Sequence, residues 1–169
     1  MKKILPKIVA LILTLAAIGL GLWLVNKNLP ATNQLVVAAE FGRETPMLSS
    51  LGPPPRLTLD YPHQLILDSP VYFNLRSLSW FTRGRIELVY REEGRTLVSL
   101  AGKVGEPWQY ATLPPLVITK DDEGWQHAIF DVDLTSLYHP KNIRRFLIDT
   151  SGPVGQPLRL QRLQITLER

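Results

Sequence analysis

Residues 8–25 form an uncharged apolar run of 18 residues, preceded by Lys2, Lys3 and Lys7 and followed by Lys27. As a helix rising about 1.5 Å per residue it would measure about 27 Å, close to the roughly 30 Å hydrocarbon core of a bilayer. Its apolar residues fall on every side with no polar stripe, which fits a water-facing amphipathic helix poorly. The run therefore predicts one N-terminal transmembrane helix within residues 1–28. A cleaved signal peptide is the competing reading, since it also joins positive charge to an apolar stretch. Its apolar core usually runs about 7–15 residues, and the nearest small-x-small site here, Val37-Ala38-Ala39, lies well past the end of the run. With three lysines before the run and one after it, the positive-inside rule places the N-terminus in the cytoplasm and the rest of the chain outside. In a bacterial envelope that means an inner-membrane protein with a periplasmic domain. Trp23 falls where an interfacial aromatic would sit.

Residues 29–56 carry Asn28-Leu29-Pro30 at their start, then Glu44-Thr45-Pro46 and Gly52-Pro53-Pro54-Pro55. Prolines in this density interrupt helices and central strands, so the segment reads as a linker, its last stretch a semi-rigid polyproline spacer. Residues 35–39 within it are apolar enough for a short strand at a sheet edge. The segment through residue 44 accounts for +3 of the formal net charge of +4, which leaves 14 basic and 13 acidic residues for residues 45–169. A nearly neutral body gives no support to a nucleic-acid surface, and none is expected as a partner. The chain has no cysteine, which excludes a disulfide scaffold, a thiolate metal site and a cysteine nucleophile.

From residue 57 the pattern changes to period two. Arg85-Ile86-Glu87-Leu88-Val89-Tyr90-Arg91 alternates, Glu92-Glu93-Gly94-Arg95 supplies a turn, and Asp121-Asp122-Glu123-Gly124 supplies another. Strands are predicted over residues 57–60, 64–68, 71–78, 85–91, 96–101, 116–119, 125–133, 143–150 and 158–167. In the last, Leu158 and Leu160 keep one phase while Leu163, Ile165 and Leu167 keep the other, so Gln161-Arg162 must absorb one residue as a β-bulge. The fold class is all-β, an antiparallel β-sandwich or jelly roll of about 8–9 strands over residues 57–169, behind one transmembrane helix.

The strand order, the loop Ser79-Trp80-Phe81-Thr82-Arg83-Gly84, the Gly124-Trp125 strand start, Ile143-Arg144-Arg145-Phe146 and the terminal Leu158-Arg159-Leu160 strand together resemble the galactose-binding-like jelly rolls. That resemblance implies the fold of the non-catalytic carbohydrate-binding modules. It also implies that a structural calcium can accompany such a domain, although no residues here are assigned as its ligands. Otherwise no cofactor is expected.

Consecutive loops of an antiparallel meander alternate between the two ends of a sandwich. This rule collects Trp80, Arg83, Trp108, Tyr110, Tyr138 and His139 at one end, where they are the candidate ligand-binding residues. Indole faces would stack on sugar C–H faces, while Arg83, His139 or tyrosine hydroxyls would hydrogen-bond ring oxygens. The same aromatics could instead close the end of the core or dock a protein, and Trp125 at a strand start reads as core.

No enzyme is expected. His63, His127 and His139 lack metal-ligand spacing, and no phosphate loop or Gly-x-Ser-x-Gly elbow occurs. Asp131 and Asp133 share a strand face rather than oppose each other across a cleft. Asp121-Asp122-Glu123 lacks the spaced loop of a calcium hand. The sequence thus points to a membrane-anchored exported sandwich that binds glycan without catalysis, beside envelope polysaccharide machinery. The alternative is an accessory subunit docking to a larger membrane complex without touching sugar.

Overall fold

The computed structural model describes residues 5–28, 33–40 and 45–169, with side chains inside the helix described for residues 7–22. The chain divides into two compact units, Met1–Leu35 and Val36–Arg169.

The first unit carries helix α1, Leu5–Asn28. Every described side chain on it, over residues 7–22, is exposed, including Leu13 at 64% and Leu22 at 65%. Those 16 residues would measure about 24 Å, short of the bilayer core. Among the described residues no helix is long and apolar enough to cross a membrane. The expected span is thus present as a helix and is not shown as a crossing. The end of the run at residues 23–25, with Trp23, lies outside the described side chains.

The second unit is all-β. Its strands are β1 (Gln34–Glu40), β2 (Leu57–Asp60), β3 (His63–Ile66), β4 (Val71–Arg76), β5 (Arg83–Glu92), β6 (Thr96–Gly105), β7 (Gln109–Leu113), β8 (Val117–Lys120), β9 (Gln126–Asp133), β10 (Ile143–Ser151) and β11 (Leu158–Glu168). Among the described residues they form two sheets. The larger has seven strands in the order β2-β3-β11-β5-β9-β8, with β1 pairing β11, and the smaller has four in the order β4-β10-β6-β7. All nine strands expected from residue 57 onward are present. The two additional ones are β1, where the apolar stretch 35–39 had suggested an edge strand, and β7, which sequence reading leaves as loop. β7 has no buried residue, so it lacks the alternation that reveals a strand.

Burial follows parity. Phe73 on β4 and Phe146 on β10 are register partners and stack at 5.2 Å, and Leu100, Ile148, Ile86, Leu88 and Phe130 join them with no exposed surface. The bulge sits where the phase of the sequence changes: Leu160 pairs with Tyr90 and Arg162 with Val89, so Gln161 is the extra residue. This single insertion keeps Leu158, Leu160, Leu163, Ile165 and Leu167 all buried. The proline-containing stretch before residue 57 also touches the body. Leu48 and Leu51 are buried, Leu48 bridges Leu75, and Gly52 bridges Tyr72. Pro54–Arg56 is a short 3-10 turn.

Tyr90 faces this interior at 1% exposure and donates its hydroxyl to Gln126 Oε1 at 3.1 Å. Burial, then the charge of Glu92, pushes its pKa up to about 12. A folded-state value above the unfolded value of about 10 means that the neutral phenol's contribution is complete below pH 10 and is lost between pH 10 and pH 12. We expect urea unfolding of the wild type to lose about 2 to 3 kcal/mol over that window through this residue. Tyr90→Phe should flatten that part of the alkaline loss, and an unchanged pH profile would sink the assignment.

Candidate ligand groove at the aromatic end

Three loops meet at one end of the sandwich, as the alternation rule requires. Ser77 N donates to Asn142 O at 3.1 Å, Leu134 N to Thr82 O at 2.9 Å, and Tyr138 N to Lys103 O at 2.9 Å. The last bond seats the β9–β10 loop on the end of β6. Leu137 assists: the space a Cβ on Gly102 would fill is taken by Leu137 Cδ2, only 2.6 Å from that point. A side chain at position 102 would push away the loop that carries Tyr138 and His139.

Lys103 is the centre of the arrangement. Its Nζ lies 5.0 Å from the Tyr138 ring centroid, 5.9 Å from that of Trp108, and 2.7 Å from Glu106 Oε1. The indole of Trp108 is 71% exposed, whereas the Lys103 side chain is only 12% exposed. The ammonium is thus held by a carboxylate and two aromatic faces, and it fixes the two rings relative to each other. Tyr110 on β7 is the register partner of Lys103, and its hydroxyl is buried without a hydrogen-bond partner among the described residues. Alongside runs a groove of about 410 Å³, lined by Asn74, Lys103, Glu106, Tyr138, Lys141 and Arg145, among others. Arg145 donates from Nε to Asn74 Oδ1 at 2.9 Å and lies 4.9 Å over the Tyr72 ring.

The sequence candidates divide into two sets. Trp108, Tyr110 and Tyr138 come together around Lys103. His139 follows Tyr138, half-buried, with Nδ1 2.8 Å from Leu137 O. Because a carbonyl only accepts, Nδ1 there carries a proton. Arg83 stands apart, in a cleft with Arg85, Asp131, Asp133 and Thr135. Trp80, 42% exposed, lines neither cavity. The groove residues missed from sequence are Lys103, Glu106, Lys141, Arg145 and Asn74. Parity held one signal: with Phe146 and Ile148 inward, Arg145 must point outward.

The remaining chemistry-bearing residues have other occupations. Trp125 is 6% exposed, stacked by His63 at 5.1 Å and covered by Arg91 at 4.5 Å, as its core reading expects. His127 lies 3.1 Å from Glu87 and 3.6 Å from Asp121. Asp131 pairs with Arg85 at 3.0 Å, while Asp133 accepts from Thr135 Oγ1 and N. Those two bonds hold the Asp133 carboxyl below its ordinary pKa. Asp121 accepts from Trp125 N and so closes its own turn. Among the described residues no group of three or more His, Asp or Glu is placed to hold a metal ion.

Comparison with known proteins returns no matching family model and no matching curated protein. What the structure defines is the class: an all-β chain of two facing sheets with an aromatic, basic groove at one end.

Proposed function

We propose that this protein binds glycan without catalysis, through a galactose-binding-like jelly roll held at the outer face of a membrane by residues 8–25. The observation that carries the binding reading is the Trp108 indole. It is 71% exposed beside Lys103 and Tyr138, next to a groove with hydrogen-bonding walls, and is not folded into the core. A flat apolar face with adjacent polar groups is what a sugar ring requires. The anchor reading is supported by the 18 uncharged residues between flanking lysines and by the exposure of apolar side chains on every side of α1.

The test is a glycan array probed with the full chain in nanodiscs, repeated with Trp108→Ala. Loss of one dominant aromatic platform should weaken binding at least about tenfold. Binding that survives the substitution would remove Trp108 from the site. No binding to any glycan would overturn this reading in favour of a docking subunit. Protease protection in oriented vesicles tests the anchor: residues 45–169 should be cut only from the extracytoplasmic side.

A further inference from the structure

We propose that the groove selects an anionic glycan, an extended chain whose sugars carry carboxylate or phosphoryl groups. This inference rests on the glycan reading above and names its substrate class.

The argument begins with where charge sits. Residues 45–169 hold 14 basic and 13 acidic residues, so a random patch of this surface should be close to neutral. The groove is not. Lys103, Lys141 and Arg145 line it against the single carboxylate of Glu106. A second cleft of about 250 Å³ adjoins it, sharing Asn74 and Ile143 and adding Arg76, with no acidic residue among its described lining residues. The two adjoin as one trough, with four cations and one carboxylate among its described lining residues.

The cations also differ in how far they are already satisfied. Lys103 is neutralised by Glu106 at 2.7 Å. Arg145 has only a neutral partner for its Nε, the Asn74 amide oxygen at 2.9 Å, and no ion pair among the described residues. Its remaining guanidinium edge is a planar fork suited to a carboxylate or phosphate. Arg76 and Lys141 likewise have no ion pair among the described residues, and both are exposed. Lys141 sits at the rim with φ 55°, followed by Asn142 with φ 61°, two consecutive non-glycine residues in the left-handed region. Elsewhere on the same sandwich, Arg85 pairs with Asp131, Arg159 with Asp60 and Glu93, and Arg162 with Glu87, while Arg95 and Arg144 are held inside the fold by neutral acceptors. Three cations without an ion pair among the described residues, Arg76, Lys141 and Arg145, thus lie along this trough, and Trp108 stands beside it across Lys103. Trp108 would take the sugar faces while Arg145, Lys141 and Arg76 take the charges spaced along the chain.

The experiment measures binding of the full chain in phosphatidylcholine nanodiscs to three probes: oligogalacturonate, the same oligomer after carboxyl reduction, and a phosphorylated oligomannoside. At about 50 mM salt, at least one acidic probe should bind tenfold or more tighter than the reduced oligomer. That preference should shrink toward parity at about 1 M salt, where the screening length falls to about 3 Å. Arg145→Gln should reduce the acid-to-neutral preference at least fivefold, and Lys141→Gln, on an exposed turn, should reduce it independently of any folding effect at position 145. Whichever acidic probe wins distinguishes carboxylate from phosphoryl recognition. Equal binding of acidic and reduced probes, both weakened by Trp108→Ala, would overturn the anionic selectivity and leave the glycan reading standing. No binding of any probe, together with an empty array, would remove both.

Discussion

Arg144→Ala should lower the stability of the sandwich by about 3 to 5 kcal/mol and, with it, abolish binding at the aromatic end. Arg144 is 1% exposed, inward by the same parity that turns Arg145 outward. No carboxylate among the described residues meets it. It is satisfied instead by three acceptors from two loops: Nε donates to Leu134 O at 3.2 Å, and Nη1 donates to Ser77 O at 3.2 Å and Ser77 Oγ at 2.8 Å. Burial alone pulls its pKa below the ordinary arginine value, and an arginine guanidinium in a protein stays charged at neutral pH. Removing it leaves a large hole and three buried acceptors without donors, each such loss costing about 1 to 3 kcal/mol before relaxation. Ser77 follows the strand that carries Asn74 and Leu134 opens the Tyr138 loop, so the brace ties together two walls of the groove.

Arg144→Met separates the two parts of that cost. It keeps most of the volume and none of the donors. Buried ionic groups replaced by apolar ones of similar size are sometimes neutral or better. Here the stranded acceptors are two backbone carbonyls and the Ser77 hydroxyl, which remain whatever side chain stands at position 144, so Met should still cost about 2 kcal/mol or more. Urea unfolding followed by tryptophan fluorescence reads both variants. A methionine variant as stable as wild type would show that only space, and not the hydrogen-bond brace, is required.

How far the sequence led can be judged from individual residues. Alternation located the strands and the inward face because side-chain period is a local property of the chain. The bulge at Gln161 was legible for the same reason, since a change of phase in leucines three to five residues apart is visible without partners. The groove was not. Arg145 meets Asn74 across 71 residues of sequence, and Lys103 meets Tyr138 only because β6 and the β9–β10 loop end on the same side. Such contacts follow from register, which parity restricts but does not choose. Alternating loop ends grouped Trp108, Tyr110, Tyr138 and His139 with Trp80 and Arg83, whereas the structure sets Arg83 in a separate cleft and Trp80 in neither, because an end of a sandwich is wider than one site. Leu48 and Leu51 were hidden by the prolines around them, which advertise a spacer more loudly than two leucines advertise a core contact.

Arg95, at the opposite end of the sandwich, provides the control for Arg144. It is 3% exposed and donates to Gln156 O, Thr150 Oγ1, Gly152 O and Pro153 O at 3.2 to 3.3 Å. The β10–β11 loop thus wraps around a single guanidinium. Gly152 makes the wrap feasible: its φ is 157°, and a Cβ there would meet Gly94 O at 2.7 Å and Arg95 Cα at 2.9 Å. Arg95→Ala should cost about 2 to 4 kcal/mol, somewhat less than Arg144→Ala because the residues around this loop are exposed and water can replace part of what is lost. The two substitutions should differ sharply in what they do to ligand. At a temperature where both variants remain folded, Arg95→Ala should bind glycan within about twofold of wild type, a difference of about 0.4 kcal/mol, while Arg144→Ala should not bind. If both lose binding in proportion to their stability, then the Arg144 effect is general loosening of the sandwich, and its role as the brace of the groove is refuted.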